Sequence, residues 1–245
     1  MKPTTLITGA GKRIGAAIAL HLAAHGHDLV LHYRSAQGAA QTLAQTLRAQ
    51  YGTYITLVQA DLEYLPEGMA FWAGLPPVTA IIHNAAQFAR EPFGQMTSAS
   101  LRAQLAVNLE APLLLTQGFL AQLPQGMHGQ VIILGDGAKK WSISPEFFSY
   151  AVSKCAWEGV IDLLASACAP STSANVIALG PTLPGVIDDD ATHARIAAHA
   201  PLKHRTAMEE VCGTIDFLLA SRGVTGQIVS LAGGFGLTTH RPPSV

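Results

Sequence analysis

The 245-residue chain predicts an α/β fold: a doubly wound parallel sheet of seven strands with helices on both faces. Three observations lead there. Short β-branched or Leu-rich runs alternate with longer amphipathic stretches, the pattern of right-handed strand–helix–strand crossovers. Of the residues, 49% are apolar and only 13% charged, which suits a large buried sheet under Ala-rich helices. A glycine-rich turn, Thr8-Gly9-Ala10-Gly11-Lys12-Arg13-Ile14-Gly15, lies between the apolar Leu6-Ile7 and a stretch carrying Ile14, Ile18 and Leu22 on one face. Strand, glycine turn and helix in that order can hold a pyrophosphate.

The expected strands are 5–8, 29–33, 54–59, 80–83, 130–134, 174–179 and 227–231, each short and rich in Val, Ile, Leu or Thr. Helical periodicity covers 14–25, 39–50, 98–122, 149–167 and 207–221. Ahead of the last helix, Thr206-Ala207-Met208-Glu209 reads as a capping box. Two stretches resist regular assignment. Between Glu63 and Val78, the residues Pro66, Gly68, Gly74, Pro76 and Pro77 leave room only for short helix. From Gly180 to Arg205, Pro181, Pro184, Gly185 and Asp188-Asp189-Asp190 read either as a substrate lid beyond a strand C-terminus or as a disordered surface loop. No repeat or linker interrupts the chain, so residues 1–245 are expected to form one domain.

A formal net charge of −1 gives no electrostatic case for nucleic acid or an anionic membrane as partner. No apolar run approaches the ~18 residues of a membrane span, and Met1-Lys2-Pro3-Thr4 carries no signal-peptide pattern. Cys155, Cys168 and Cys212 lack metal-ligand spacing and read as buried thiols. A cytoplasmic protein with a small-molecule substrate and no metal is expected.

In the glycine turn, Gly9 and Gly15 allow a tight bend and close helix–strand approach, so that the amides near Lys12, Arg13 and Ile14 face phosphate oxygens. The second strand ends His32-Tyr33-Arg34-Ser35, where an enzyme using NAD places an acid for the ribose hydroxyls. Arg34 and Ser35, with Arg13 near, point instead to a 2′-phosphate and hence to NADP(H). Each charge-assisted bond there is worth roughly 1.5–3 kcal/mol. Asp61 either accepts a bond from the adenine amine or caps the next helix. The small side chains of Asn84-Ala85-Ala86 let backbone approach the cofactor. Further on, Tyr150-Ala151-Val152-Ser153-Lys154 puts a phenol and an ammonium on one helical face. An ammonium beside a phenol favours the phenolate, so Tyr150 and Lys154 suit proton delivery after hydride transfer.

These segments, in this order, resemble the short-chain dehydrogenase/reductase family over almost the whole length. Thr8-Gly9 through Gly15, Asn84-Ala85-Ala86, Asn108, Tyr150-x-x-x-Lys154, and Asn175 through Gly180-Pro181 carry the likeness. The resemblance implies a Rossmann fold and Tyr150 as acid/base. It also implies that Lys154 lies on the nicotinamide ribose, that Asn108 holds a water linking Lys154 to solvent, and that Gly180 and Thr182 lie beside the cofactor. It implies a homo-oligomer, dimer or tetramer, paired through 98–122 and 149–167, which carry apolar residues beyond one narrow face.

Within the family the chain is most similar to pteridine and dihydromonapterin reductases. Lys12-Arg13-Ile14-Gly15, His32-Tyr33-Arg34-Ser35-Ala36 and Gln59-Ala60-Asp61-Leu62 resemble that group's cofactor site. Asp136, after Val131-Ile132-Ile133-Leu134-Gly135, stands where the wider family carries a catalytic Ser. Phe88 matches the aromatic that sandwiches a pterin against nicotinamide. The chain departs from the pattern at Ala86 (often Ser), Leu179 (usually Pro), Ala232 (commonly Asp), and in a spacing of fourteen from Asp136 to Tyr150.

Asp136 either binds substrate N–H groups or helps deliver a proton, and its bland alternative is a turn-forming Asp between glycines. Phe88 is otherwise a core aromatic, and Trp141, Phe147 and Phe148 either line an aromatic pocket or pack at an interface. An NADPH-dependent dihydropterin reductase is the leading expectation. A reductase of oxoacyl thioesters, ketones or sugars is the enzymatic alternative, and a non-catalytic cofactor sensor the alternative from another class.

Overall fold

A computed structural model describes residues 2–65, 69–137, 145–183 and 190–237. Seven parallel strands form its sheet: β1 (Thr4–Ile7), β2 (Asp28–Tyr33), β3 (Ile55–Gln59), β4 (Ala80–His83), β5 (Gly129–Asp136), β6 (Thr172–Leu179) and β7 (Ile228–Leu231). Their spatial order is β3-β2-β1-β4-β5-β6-β7. The direction of winding reverses between β1 and β4, where Thr5, Leu6 and Ile7 pair with Ala80, Ile81 and Ile82. Open α/β sheets bind ligands beyond the strand C-termini at such a reversal.

Period-two alternation divides the strands between two cores. Leu6, Val30, Ile81, Val131, Ile133 and Val176 face one side, under α4 (Ala111–Gln122) and α6 (Trp157–Cys168). Ile7, Leu29, Leu31, Ile82, Ile132 and Ile177 face the other. There they meet Ile18 and Leu22 of α1 (Arg13–Ala24), Ala44 and Leu47 of α2 (Gln37–Tyr51), and Ile215 and Leu218 of α8 (Met208–Ala220).

Several expected elements change on folding. The single helix expected over 98–122 is α3 (Ser98–Leu105), a π-helical turn over Ala106–Glu110, then α4. The one expected over 149–167 divides at Ala156 into α5 (Phe148–Cys155) and α6. Short 3₁₀ turns form at Leu62–Tyr64 and Ala70–Trp72, the latter burying Phe71 and Trp72 in the core. Within 180–205, α7 (Asp190–Ala197) is helical, which neither the lid nor the disordered-loop reading anticipated; residues 184–189 lie outside the described residues. The last helix is capped one residue later than expected. The Glu210 carboxylate accepts from Ala207 N (2.7 Å), while the Thr206 hydroxyl donates to the Leu231 carbonyl. Ala207 has no side-chain acceptor, so the reciprocal half of a capping box is missing.

At the end of β4, His83 is fully buried, its Nε2 3.0 Å from the Thr116 hydroxyl. Burial pushes its pKa from 6.5 down to about 3, and burial also lowers that of His32 and His27. An unfolded chain takes up these protons as the pH falls below 6.5; the native state refuses them until the lowered values are reached. Their stabilisation is therefore complete above pH 6.5 and is lost progressively toward pH 3. Urea unfolding at pH 7.5, 6 and 5 should show stability falling with pH, and less steeply in His83→Gln.

Candidate functional site

The C-terminal end of β1 turns sharply at Gly9, whose φ is +64°, and α1 returns so close that a Cβ on Gly15 would lie 2.4 Å from the Gly9 carbonyl oxygen. Asn84, at the end of β4, closes this junction. Its Nδ2 donates to the carbonyls of Thr8 (2.9 Å) and Gly9 (3.1 Å). The Thr8 hydroxyl accepts from the N–H groups of Asn84 and Ala85, both at 3.0 Å. Thr8 carried the motif in the sequence but was not expected to have a role in the site; a threonine ending a strand before glycine is the signal that was there to read.

His32 is not placed as a cofactor contact. It is buried beneath the turn, with Nδ1 accepting from Gly9 N (3.1 Å) and Nε2 donating to the Ala60 carbonyl (3.1 Å). The Tyr33 and Leu62 side chains are also buried. Arg34 and Ser35 are exposed at the end of β2, as are Lys12 and Arg13 at the start of α1. Arg13 adopts φ +54°, a conformation that favours glycine, and its guanidinium donates to the Leu183 carbonyl (3.1 Å), so it bridges the turn to the segment after β6. Asp61 Oδ1 accepts from Glu63 N (3.1 Å), the capping alternative of its two readings. Thr182 is buried and hydrogen-bonds the Gly180 carbonyl (3.0 Å); Ala86 is exposed beside Asn84 and Ala85.

These residues fit a phosphorylated dinucleotide. The start of α1 has no side-chain cap and no acid in its first turn, so its leading amides suit an anion. Exposed cations surround it, and no carboxylate ends β2.

The second half of the site lies on β5 and α5. β5 runs two residues further than expected and ends on Asp136. Gly135 and Gly137 flank it because a Cβ there would lie 2.7 Å from Val176 Cγ1 and 2.6 Å from Ala232 Cβ. Tyr150 donates its phenolic hydrogen to Asp136 Oδ2 (2.9 Å). One turn on, the Lys154 ammonium donates to the Leu134 carbonyl (2.9 Å) and lies 5.9 Å from the Tyr150 ring centre. Burial and the Asp136 charge hold the Tyr150 pKa well above 10, so here the phenol is kept protonated, against the expectation that the ammonium would govern it. Burial also pushes Lys154 down, to about 8.

Asn108 occupies the π-helical turn and is buried. Its Oδ1 accepts from Gln87 N (2.8 Å), and its Nδ2 lies within hydrogen-bond distance of the Gln87 carbonyl (2.9 Å) and the Ser153 hydroxyl (2.9 Å). Its own carbonyl accepts from the Trp157 indole (3.0 Å). The side chain therefore ties the segment after β4 to α5.

Phe88 stands at the site, not in the core. It stacks on Phe147 with ring centres 4.6 Å apart and lies edge-on to Tyr150 at 4.7 Å. A clip that sequence reasoning missed sets this geometry. Glu91 N donates to the Glu146 carbonyl (2.6 Å), and Phe148 N donates to that of Glu91 (3.1 Å). The Glu91 carboxylate accepts from the Ser149 hydroxyl, while Arg90 pairs with Glu146 at 2.8 Å. Hydrogen bonds from Ser100 and Ser149 hold the Glu91 carboxyl below its ordinary pKa. Apart from Ser100, its partners lie over fifty residues away, so no local pattern announced it. Phe148 packs on Phe93; Trp141, Ser142 and Ser144 lie outside the described residues.

A phenol poised on a carboxylate, an adjacent ammonium and an anion-receptive helix start together define a site for reduction by a dinucleotide. Residues 9–236 match a family model described as enoyl-(acyl carrier protein) reductase, and the chain belongs to the short-chain dehydrogenase/reductase family. It is 29% identical to the uncharacterized oxidoreductase YmfI of Bacillus subtilis, covering 96% of this chain and 99% of that one. It is 30% identical to a dihydromonapterin reductase of Enterobacter sp. (94% and 95% covered). Among solved structures it is similar to FolM alternative dihydrofolate reductase 1 from Brucella canis complexed with NADP. That likeness has a TM-score of 0.87 and 31% identity, over 96% of this chain and 95% of that one.

The glycine geometry is testable in isolation. Gly15→Ala drives a methyl into backbone and should cost about 1–3 kcal/mol in urea unfolding. Gly38→Ala, in open space on α2, should raise stability by about 0.4–1 kcal/mol.

Proposed function

We propose that this chain is an NADPH-dependent reductase of dihydropterins. The observation that carries the reading is the Tyr150–Asp136 hydrogen bond beside the exposed Phe88. It is supported by the dihydromonapterin reductase of Enterobacter sp. and by the NADP complex of the Brucella canis protein, both about equally distant in sequence. A flat heterocycle gains from stacking on Phe88, roughly 0.5–1.5 kcal/mol beyond area burial, and its polar edge offers N–H groups to the Asp136 carboxylate.

Bound NADPH supplies the hydride. Lys12, Arg13, Arg34 and Ser35 would hold its phosphates, the backbones of Gly9, Ile14, Gly15, Tyr33, Leu62, Ala85, Ala86, Gly180 and Thr182 would surround it, and Asp61, whose Oδ1 caps the turn that follows, would offer its second carboxylate oxygen to the adenine amine. His32 and Asn84 keep the turn in shape beneath it. Tyr150 delivers the proton to the nitrogen of the reduced C=N bond, Asp136 orients the substrate and the phenol, and Lys154 offsets the negative charge that Tyr150 takes on. Asn108 positions α5 for that transfer. We read residues 1–245 as one cofactor-binding domain, assembled as a homo-oligomer through α4 and α6, where Leu114 and Leu163 are exposed. No helix among the described residues is long and apolar enough to cross a membrane, and with Cys155, Cys168 and Cys212 unbridged we place the protein in the cytoplasm.

NADPH oxidation with a panel of dihydropterins, ketones and oxoacyl thioesters tests the reading. Dihydropterins should be turned over. Turnover of the carbonyl compounds alone would overturn the substrate class, and no turnover with retained NADPH binding would mark a cofactor sensor. Tyr150→Phe should lower kcat by roughly two to four decades with NADPH binding retained. Phe88→Ala should raise KM for the pterin, and Arg34→Asp should shift preference toward NADH, both read by steady-state kinetics. Because the ammonium form of Lys154 is needed and is lost as pH rises through about 8, kcat/KM should decline above that pH. Sedimentation should show a species heavier than the 25.7 kDa chain.

A further inference from the structure

His21 and His25 lie four residues apart at the end of α1, so both imidazoles project from one side of the helix. Facing them from α8 is Asp216. One ligand atom from each of the three residues lies within 4.8 Å of the others. His21 Nε2 is 2.8 Å from Asp216 Oδ2, and the two imidazole rings are tilted, with centres 4.1 Å apart. His25 Nδ1 donates to the His21 carbonyl (2.8 Å), which fixes its tautomer and leaves Nε2 as the ligating atom. A ring N–H held by a backbone carbonyl is the arrangement that orients ligating histidines in metal sites. The neighbouring His27 lies outside the cluster, its Nδ1 2.9 Å from the Thr5 hydroxyl.

We propose that His21, His25 and Asp216 form a binding site for a first-row divalent transition ion of the Zn²⁺ type, with solvent completing the coordination. Two imidazoles and one carboxylate are the donor set such ions take, at about 2.0–2.2 Å. A tetrahedral ion spaces its ligands about 3.3 Å apart. The His21–Asp216 pair therefore opens by roughly half an ångström as the ion replaces the shared proton, and the exposed His25 ring swings in. The site is structural, not catalytic. α1 runs away from the reactive edge of the sheet, so its last turn lies at the opposite edge, as the bond from His27 to Thr5 at the start of β1 shows. The ion clips α1 to α8 and braces, from its far end, the helix whose start faces the cofactor phosphates. This departs from the expectation that the chain has no metal site. Cysteine spacing suggested none, and the histidine pair acquires its third ligand only from a helix almost two hundred residues away.

The test is titration of untagged, chelator-stripped protein with Zn²⁺ alone, followed by calorimetry and thermal unfolding. One ion per chain should bind in the micromolar range, and His25→Ala and Asp216→Asn should each weaken it about tenfold or more. Free Zn²⁺ a hundredfold above Kd should raise Tm by about 5–10 °C in the wild type and much less in Asp216→Asn. His204→Ala, which removes the exposed His204–Glu210 pair, should leave binding unchanged. Absence of a micromolar site, or one that persists in the His25→Ala/Asp216→Asn double variant, would overturn the proposal.

Discussion

The close approach of α1 to the end of β1 governs what the rest of the molecule can do. Gly15 comes within a distance of the Gly9 carbonyl that no side chain tolerates, and the amide of Asn84 and the hydroxyl of Thr8 hold the two strand ends at that spacing. The bonds of His32 to Gly9 and Ala60 support the turn from below. Because these polar groups are paired with one another, the reversal point of the sheet is rigid without any ligand, and the helix start presents its amides in a set direction. Binding a flexible dinucleotide is easier for such a preorganised surface, since the protein side has little ordering left to do.

A second junction transmits that rigidity to the reactive groups. The π-helical turn around Asn108 lies between the segment following β4 and α5, and its amide bonds to both. An extra residue in one helical turn displaces the side chain and its carbonyl from a regular ladder, and here each finds a distant partner, Ser153 and Trp157. The Glu91 clip works alongside it. Together they hold Phe88 over Tyr150 at a fixed angle, so substrate stacking and proton delivery depend on the same short stretch of chain.

The electrostatics of the reactive groups follow from burial and a single carboxylate. Asp136 accepts from Tyr150, raising the cost of its ionisation, while burial drives Lys154 toward neutrality. The phenol and the ammonium are thus poised from opposite directions: one retains its proton, the other gives its proton up more readily. A serine at position 136 would bring no charge and would leave Tyr150 less firmly protonated.

Much was legible in the sequence because it is written locally. Strand alternation, the glycine turn, the absence of an acid after β2 and the Tyr150–Lys154 spacing are properties of neighbouring residues, and each of the seven strands lies within two residues of its expected ends. The family and its cofactor chemistry follow from those same segments. Side-chain partnerships across the fold were not legible. His32 sits in a cofactor motif yet bonds backward into the turn, Asn108 ties the segment after β4 to α5, and Glu91 and Phe147 become important only because that segment meets the start of α5. The same holds for His21 and His25, an ordinary helical pair until α8 brings Asp216 against them. Periodicity and motif spacing determine which face a residue occupies. Which group it meets there depends on chain separations of twenty to two hundred residues, and only the packed sheet and its helices decide that.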